Sequence, residues 1–161
     1  MKTLILMRHG KSSWDYAVDD ADRPLQERGI TDAYLVAHKF NQLQLPIDAC
    51  YSSPANRALH TAMITSKVLN LPLHKFYVTK ELYDFSGNSV VEFVKKLDDK
   101  LNTVLIFGHN HAFTEIVNKW GHKTIDNLPT AGLVVLNFEH DNWGTIANGK
   151  TKTVIVPKQL R

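Results

Sequence analysis

Four short apolar runs rich in β-branched or aromatic residues, 3–7, 49–51, 76–78 and 103–107, alternate along the chain with segments whose apolar residues recur at helical spacing. The helical sets are Ala33, Val36, Ala37 and Phe40; Leu59, Ala62, Met63, Ser66 and Leu69; Val90, Phe93, Val94, Leu97 and Leu101; and Phe113, Ile116, Val117 and Trp120. Each set paints one face of a helix. Strands separated by helices pair in parallel, and right-handed crossovers place the helices on both faces of the sheet. The expected fold is therefore an α/β, three-layer α/β/α sandwich around a mainly parallel central sheet. The tail changes character. Residues 133–138 and 153–156 read as two further strands around Asn142, Gly144, Asn148 and Gly149, a late hairpin or edge pair open to antiparallel pairing.

Composition narrows the function classes. With 161 residues, 43% hydrophobic and 22% charged, the chain suits a single domain spanning 1–161 with a continuous core. A net charge of only +3 argues against nucleic acid as a partner. The apolar run before Arg8 and His9 is too short for a secretory signal, and no stretch approaches the roughly 18 apolar residues of a membrane span. Cys50 is the only cysteine, which excludes an intrachain disulfide and a cysteine-based zinc site. A cytoplasmic protein without a membrane partner is expected, with a monomer favoured.

In open α/β sheets ligands bind beyond the carboxyl ends of the strands, and three of those ends carry reactive side chains. Arg8-His9-Gly10-Lys11 follows the first strand, with Gly10 allowing a ligand close to the backbone. Ser52-Ser53-Pro54-Ala55-Asn56-Arg57 follows the second; Ser53 as N-cap and Pro54 at the first helical position would set Arg57 near the positive end of a helix. Gly108-His109-Asn110-His111 follows the fourth and again leads into a helix. Two arginines, two histidines and two helix N-termini on one rim suit a doubly charged tetrahedral anion, phosphate above all. No Walker loop or carboxylate cluster accompanies them, so magnesium-assisted nucleotide chemistry is poorly supported. A neutral His9 imidazole can attack phosphorus while the cations stabilise charge on the equatorial oxygens. Those same cations disfavour protonation of His9.

Arg8-His9-Gly10 after an apolar strand, Ser52-Ser53-Pro54 with Arg57 downstream, and Gly108-His109-Asn110 together resemble the histidine phosphatase, or phosphoglycerate mutase-like, superfamily. The resemblance runs from the first strand to Trp120. Lys11-Ser12-Ser13-Trp14, Asp22-Arg23-Pro24-Leu25 and Arg28-Gly29, with the short length, look like the small SixA-type phosphohistidine phosphatases. The resemblance implies a phosphoglycerate mutase-like fold, His9 as phosphorylated nucleophile, Arg8, Arg57 and His109 as the phosphate pocket, and Arg23 at its entrance. Gly10 and Asn110 belong to the same motifs and join the substrate-binding set. Larger members also carry an acidic proton donor after the third strand, for which Glu81, with Asp84 close by, stands nearest.

His109 and His111 form an H-x-H, but metal sites need three or four ligands, so neither a metal nor another cofactor is expected. His111 reads as the start of a helix, pointing away. His38, His60, His74, His122 and His140 read as surface or capping residues, and Cys50 as a small core residue. Trp14 either shapes substrate access or packs its loop onto the body. Lys95, Lys96, Asp98, Asp99 and Lys100 read as a solvated helix face. The leading expectation is a phosphatase acting on phosphohistidine, on a protein, through phospho-His9. A loosely specified acid and the short stretch from Leu82 to Ser89, too small for a large lid, both favour it. The alternatives are a phosphomonoesterase for a small phosphorylated substrate and a non-catalytic phosphoprotein-binding module.

Overall fold

The computed structural model describes residues 1–161. Six strands form one sheet: β1 (Lys2–Arg8), β2 (Ala49–Ser52), β3 (Phe76–Val78), β4 (Thr103–Gly108), β5 (Leu133–Phe138) and β6 (Lys150–Ile155). Their spatial order is β3-β2-β4-β1-β5-β6. Strands β1 to β4 run parallel, β5 is antiparallel to β1, and β6 is antiparallel to β5, with a register shift between Val135 and Leu136. The four helices are α1 (Glu27–Asn41), α2 (Asn56–Val68), α3 (Asn88–Lys95) and α4 (Ala112–Trp120).

Period-two alternation sorts the strand side chains into two cores. Leu4 and Leu6 of β1, Val104 and Ile106 of β4, and Val134 and Leu136 of β5 pack with Val90, Val94, Ile116 and Val117 of α3 and α4. Their chain neighbours Ile5, Met7, Leu105, Phe107, Leu133 and Val135 pack on the other side with Ala33, Val36, Phe40, Ala62 and Ile64 of α1 and α2. The central strands are thus covered on both faces, which is why they read as continuous apolar runs. The layers are α3/α4, sheet, and α1/α2.

Two local expectations are corrected. The apolar spacing predicts that the third helix reaches Leu101, whereas α3 ends at Lys95. Leu97 stays buried without helical backbone, and the local polar groups explain the stop: Asp98 accepts the Lys100 N–H at 2.9 Å and Asp99 accepts the Trp143 N–H at 2.9 Å. The second concerns Ser53 and Pro54. Helix α2 starts at Asn56 with Ala55 as N-cap, so Pro54 lies before the helix. The Ser53 hydroxyl accepts the Ala55 N–H at 3.2 Å but also serves His109.

Candidate active site

The carboxyl ends of β1, β2 and β4 meet at one pole of the sheet. Main-chain bonds fix them there: the Arg8 N–H donates to the Gly132 carbonyl at 2.9 Å, the His9 N–H to Gly108 at 3.2 Å, and the Ser53 N–H to Phe107 at 3.0 Å. A cleft of about 330 Å³ opens above them, lined by Arg8, His9, Arg23, Arg57, Asp20 and Asn110 among others. The residues from all three strand ends are therefore brought together. The His9 and His109 rings lie 5.3 Å apart between centroids.

His9 is 7% exposed, and its Nδ1 lies 2.7 Å from the Gly10 carbonyl oxygen. A carbonyl can only accept, so Nδ1 carries the proton and Nε2 keeps its lone pair. Burial, followed by the charges of Arg57, Arg8 and Arg23, pushes the His9 pKa down to about 3 against the opposing pull of the Gly10 carbonyl. The imidazole is neutral at pH 7. The Gly10 N–H in turn donates to Thr61 Oγ1 at 2.9 Å, and the Thr61 hydroxyl donates to the Arg57 carbonyl at 2.8 Å. One threonine of α2 thus ties the nucleophile loop to the arginine helix.

His109 is fully buried. Its Nε2 is 2.8 Å from Ser53 Oγ, which already accepts from Ala55. The buried hydroxyl has no other acceptor for its proton, so it donates to Nε2, and the His109 proton resides on Nδ1. Burial, then the neighbouring His9 and Arg57, lowers the His109 pKa to about 3. His109 is therefore a neutral N–H donor.

Arg8 Nη1 donates to the Leu128 carbonyl at 2.8 Å. Burial, then the charge of Arg57, draws the Arg8 pKa below its ordinary value. Arg57 is 2% exposed and spends two donors on Asp20, one on its carbonyl at 2.6 Å and one on its carboxylate at 2.9 Å. Arg23, 7% exposed, donates from Nε to the Ser13 carbonyl at 3.2 Å, from Nη2 to the Ser12 hydroxyl, and from Nη1 to Asp20 at 3.2 Å. Five buried side-chain polar atoms in the molecule have no partner, and three of them are Arg8 Nε, Arg57 Nε and His109 Nδ1. Orphaned donors are costly in a folded protein, and three of them gather around His9.

The acid expected after the third strand is absent from the cleft. Glu81 accepts a hydrogen bond from Thr79 and lines a separate groove with Tyr51, Glu92 and Phe93. That hydrogen bond draws its pKa below the ordinary carboxylate value. Asp84 accepts the N–H groups of Gly87 and Val90 at 3.0 and 3.1 Å, where it caps the start of α3. The carboxylate that does line the cleft is Asp20, from a short 3-10 turn at Asp20–Asp22. Burial alone would raise its pKa, yet hydrogen bonds from Tyr83 at 2.5 Å and from Arg57, with the charge of Arg57 and the bond from Arg23, hold it at about 2. Nothing in the sequence separates Asp20 from Asp15, Asp19 and Asp22. The contact of Ser53 with His109 and the role of Thr61 are likewise visible only once the strands are assembled.

Asn110 lines the cleft, and its side-chain oxygen accepts from Thr114 Oγ1 at 2.6 Å, so it also steadies the first turn of α4. His111 is exposed at the N-cap position of that helix. No three His, Cys, Asp or Glu side chains are grouped as a metal ion requires. Cys50 is buried, and burial pushes its thiol up to about 12. No helix is long and apolar enough to cross a membrane.

The family model of the histidine phosphatase superfamily, branch 1, matches residues 4–86. The chain is 28% identical over 154 residues, 89% of its length and 93% of the relative's, to an uncharacterized protein of Mycobacterium tuberculosis. It is 40% identical over 67 residues to a 2,3-bisphosphoglycerate-dependent phosphoglycerate mutase of Gloeothece citriformis, covering 40% of this chain and 29% of that one. Among solved structures it superposes on the protein histidine phosphatase SixA complexed with tungstate with a TM-score of 0.82 at 24% identity, covering 99% of both chains. It also superposes on a mycobacterial glucosyl-3-phosphoglycerate phosphatase with a TM-score of 0.70 at 14% identity, covering 95% of this chain and 98% of that one. One scaffold thus carries a phosphatase for a protein histidine and another for a small phosphorylated molecule, so the fold does not choose between them. The strand-end motifs, the phosphoglycerate mutase-like fold and a family model spanning half of the sequence agree: the chain belongs to the histidine phosphatase superfamily, branch 1.

Proposed function

We propose that this protein is a phosphatase that hydrolyses phosphohistidine on a protein through a covalent phospho-His9 intermediate. The observation that carries the mechanism is the set of three partnerless buried donors, Arg8 Nε, Arg57 Nε and His109 Nδ1, beside a neutral histidine whose Nε2 lone pair is free. Phosphoryl transfer asks little of a protein beyond an in-line nucleophile and donors for the equatorial oxygens. In the first step His9 Nε2 forms a bond to phosphorus, and the P–N bond to the substrate imidazole breaks, its electron pair leaving with the ring nitrogen. The leaving ring departs neutral when its distal nitrogen holds a proton taken from water. In the second step a water oxygen attacks phosphorus, the His9–phosphorus bond breaks, and phosphate departs while the water's proton passes to solvent.

The choice of substrate rests on the leaving group. An alkoxide needs a proton donor. The only carboxylate lining the cleft is Asp20, ionised down to about pH 2, while Glu81 faces another groove and Asp84 caps a helix. An imidazole takes its proton from water at the distal ring nitrogen, so no protein acid is required. Trp14, Tyr16 and Val18 are 77%, 62% and 47% exposed on the loop that borders the cleft, an apolar rim of the kind that meets another protein surface.

The test is an acid-sensitive trap. Protein is mixed with a phosphohistidine-bearing protein or with a phosphomonoester, quenched within milliseconds to seconds, and assayed for acid-labile phosphate. Wild type should carry the label and His9→Ala should not, with phosphohistidine turned over at least tenfold faster than the monoester. Unlabelled wild type, or full turnover by His9→Ala, refutes the mechanism; a faster monoester assigns the site to small phosphorylated molecules.

A further inference from the structure

The cleft is polar throughout except for two rings. Trp14 and Phe85 are its only apolar lining residues, and both stand far out of the core at 77% and 47% exposure. Each packs against a residue of the anion site. The Arg23 guanidinium carbon lies 3.3 Å from the Trp14 ring centroid, a cation–π stack. The Phe85 and His109 ring centroids are 5.0 Å apart, and Tyr83 backs Phe85 at 5.5 Å. The rings are therefore oriented by their neighbours while keeping apolar surface in water.

A phosphoryl group held by Arg8, Arg57 and His109 leaves its substituent in the mouth of the cleft, among those two rings. We propose that Trp14 and Phe85 are specificity-determining residues that grip a flat aromatic leaving group, the imidazole of phosphohistidine. This inference rests on the reading of His9 given above. Stacked or edge-on rings favour a planar substituent by about fivefold to tenfold over a small aliphatic one. A phenol presents a similar flat face, so the ring preference and the identity of the ring need separate measurements.

The first measurement uses non-hydrolysable ligands. Calorimetric titration with phenylphosphonate and methylphosphonate should show the ring bound at least fivefold tighter by wild type, and a ratio below twofold in the double variant Trp14→Ala, Phe85→Ala. A wild-type ratio near one, or an undiminished ratio in the double variant, overturns the clamp. Both side chains project from the surface, and circular dichroism of each single variant verifies the fold. The second compares turnover of phosphoimidazole and phenyl phosphate. Faster phosphoimidazole ties the clamp to phosphohistidine, and faster phenyl phosphate overturns that assignment. The two readings fail separately: a ring preference without label on His9 defeats the mechanism, whereas label on His9 without ring preference defeats the clamp.

Discussion

Asp20 places a carboxylate on the guanidinium that an incoming oxyanion needs. It takes two Arg57 donors and one from Arg23, and Tyr83 holds it in place. With a pKa of about 2 it stays charged at every pH at which the protein would work, so its competition with phosphate does not relax toward neutrality. Charge-assisted pairs of this kind are among the stronger local interactions, and a dianion has to exceed them to bind. Asp20→Asn is therefore expected to lower the Kd for inorganic phosphate or vanadate about fivefold, read by calorimetry. Weaker anion binding in that variant would mean that the carboxylate aligns the arginines instead of competing for them. Arg8, His9, Arg57 and His109 were legible as a set because motif and strand end coincide. Asp20 was not, since its role depends on a turn 37 residues away from Arg57 in sequence folding over the cleft. Glu81 lines another groove for a related reason: position after a strand fixes which end of the sheet a residue occupies, not the direction of its side chain.

At the scale of elements, the nucleophile loop is held by the start of α1. Gly10 and Gly29 pack backbone to backbone, and an added Cβ on Gly29 would lie 2.2 Å from the Lys11 carbonyl oxygen, a backbone atom that cannot swing aside. The same carbonyl accepts the Gln26 N–H at 2.8 Å as the chain enters the helix. Gly29→Ala should cost about 2–3 kcal/mol in urea unfolding and should also reduce turnover, because relief of the clash moves the segment that carries His9. Most elements were visible in the sequence since buried parallel strands need unbroken apolar runs and covering helices need a single apolar face. The apolar runs 76–78 and 133–138 have the bounds of β3 and β5. The end of α3 was not visible, because Leu97 and Leu101 keep helical spacing while Asp98 and Asp99 draw the backbone away. The hydroxyl of Ser53 was similarly claimed by a partner 56 residues distant.

For the whole molecule, the two buried histidines couple stability to pH. His9 and His109 have folded pKa values of about 3 against an ordinary 6.5, so the unfolded chain binds more protons than the folded one between those limits. Their contribution is fully present above pH 6.5 and is lost as pH falls toward 3. Denaturant unfolding between pH 6 and 4.5, above the range in which Asp20 titrates, should show stability falling with acid at a slope approaching two protons. His109→Gln should reduce that slope by about one proton, or about 1.4 kcal/mol per pH unit. An unchanged slope would place the titration elsewhere. The position of β1 adds a different consequence. It lies between β4 and β5 at the middle of the sheet, paired on both edges, and His9 follows directly from it, whereas Trp14 and Asp20 sit on a connection that water reaches. Hydrogen exchange should separate these regions by orders of magnitude, with the first strand opening only when everything opens. Drift or laboratory selection can then revise which partner is recognised, one loop residue at a time, while the reacting atom stays anchored in the most protected part of the protein.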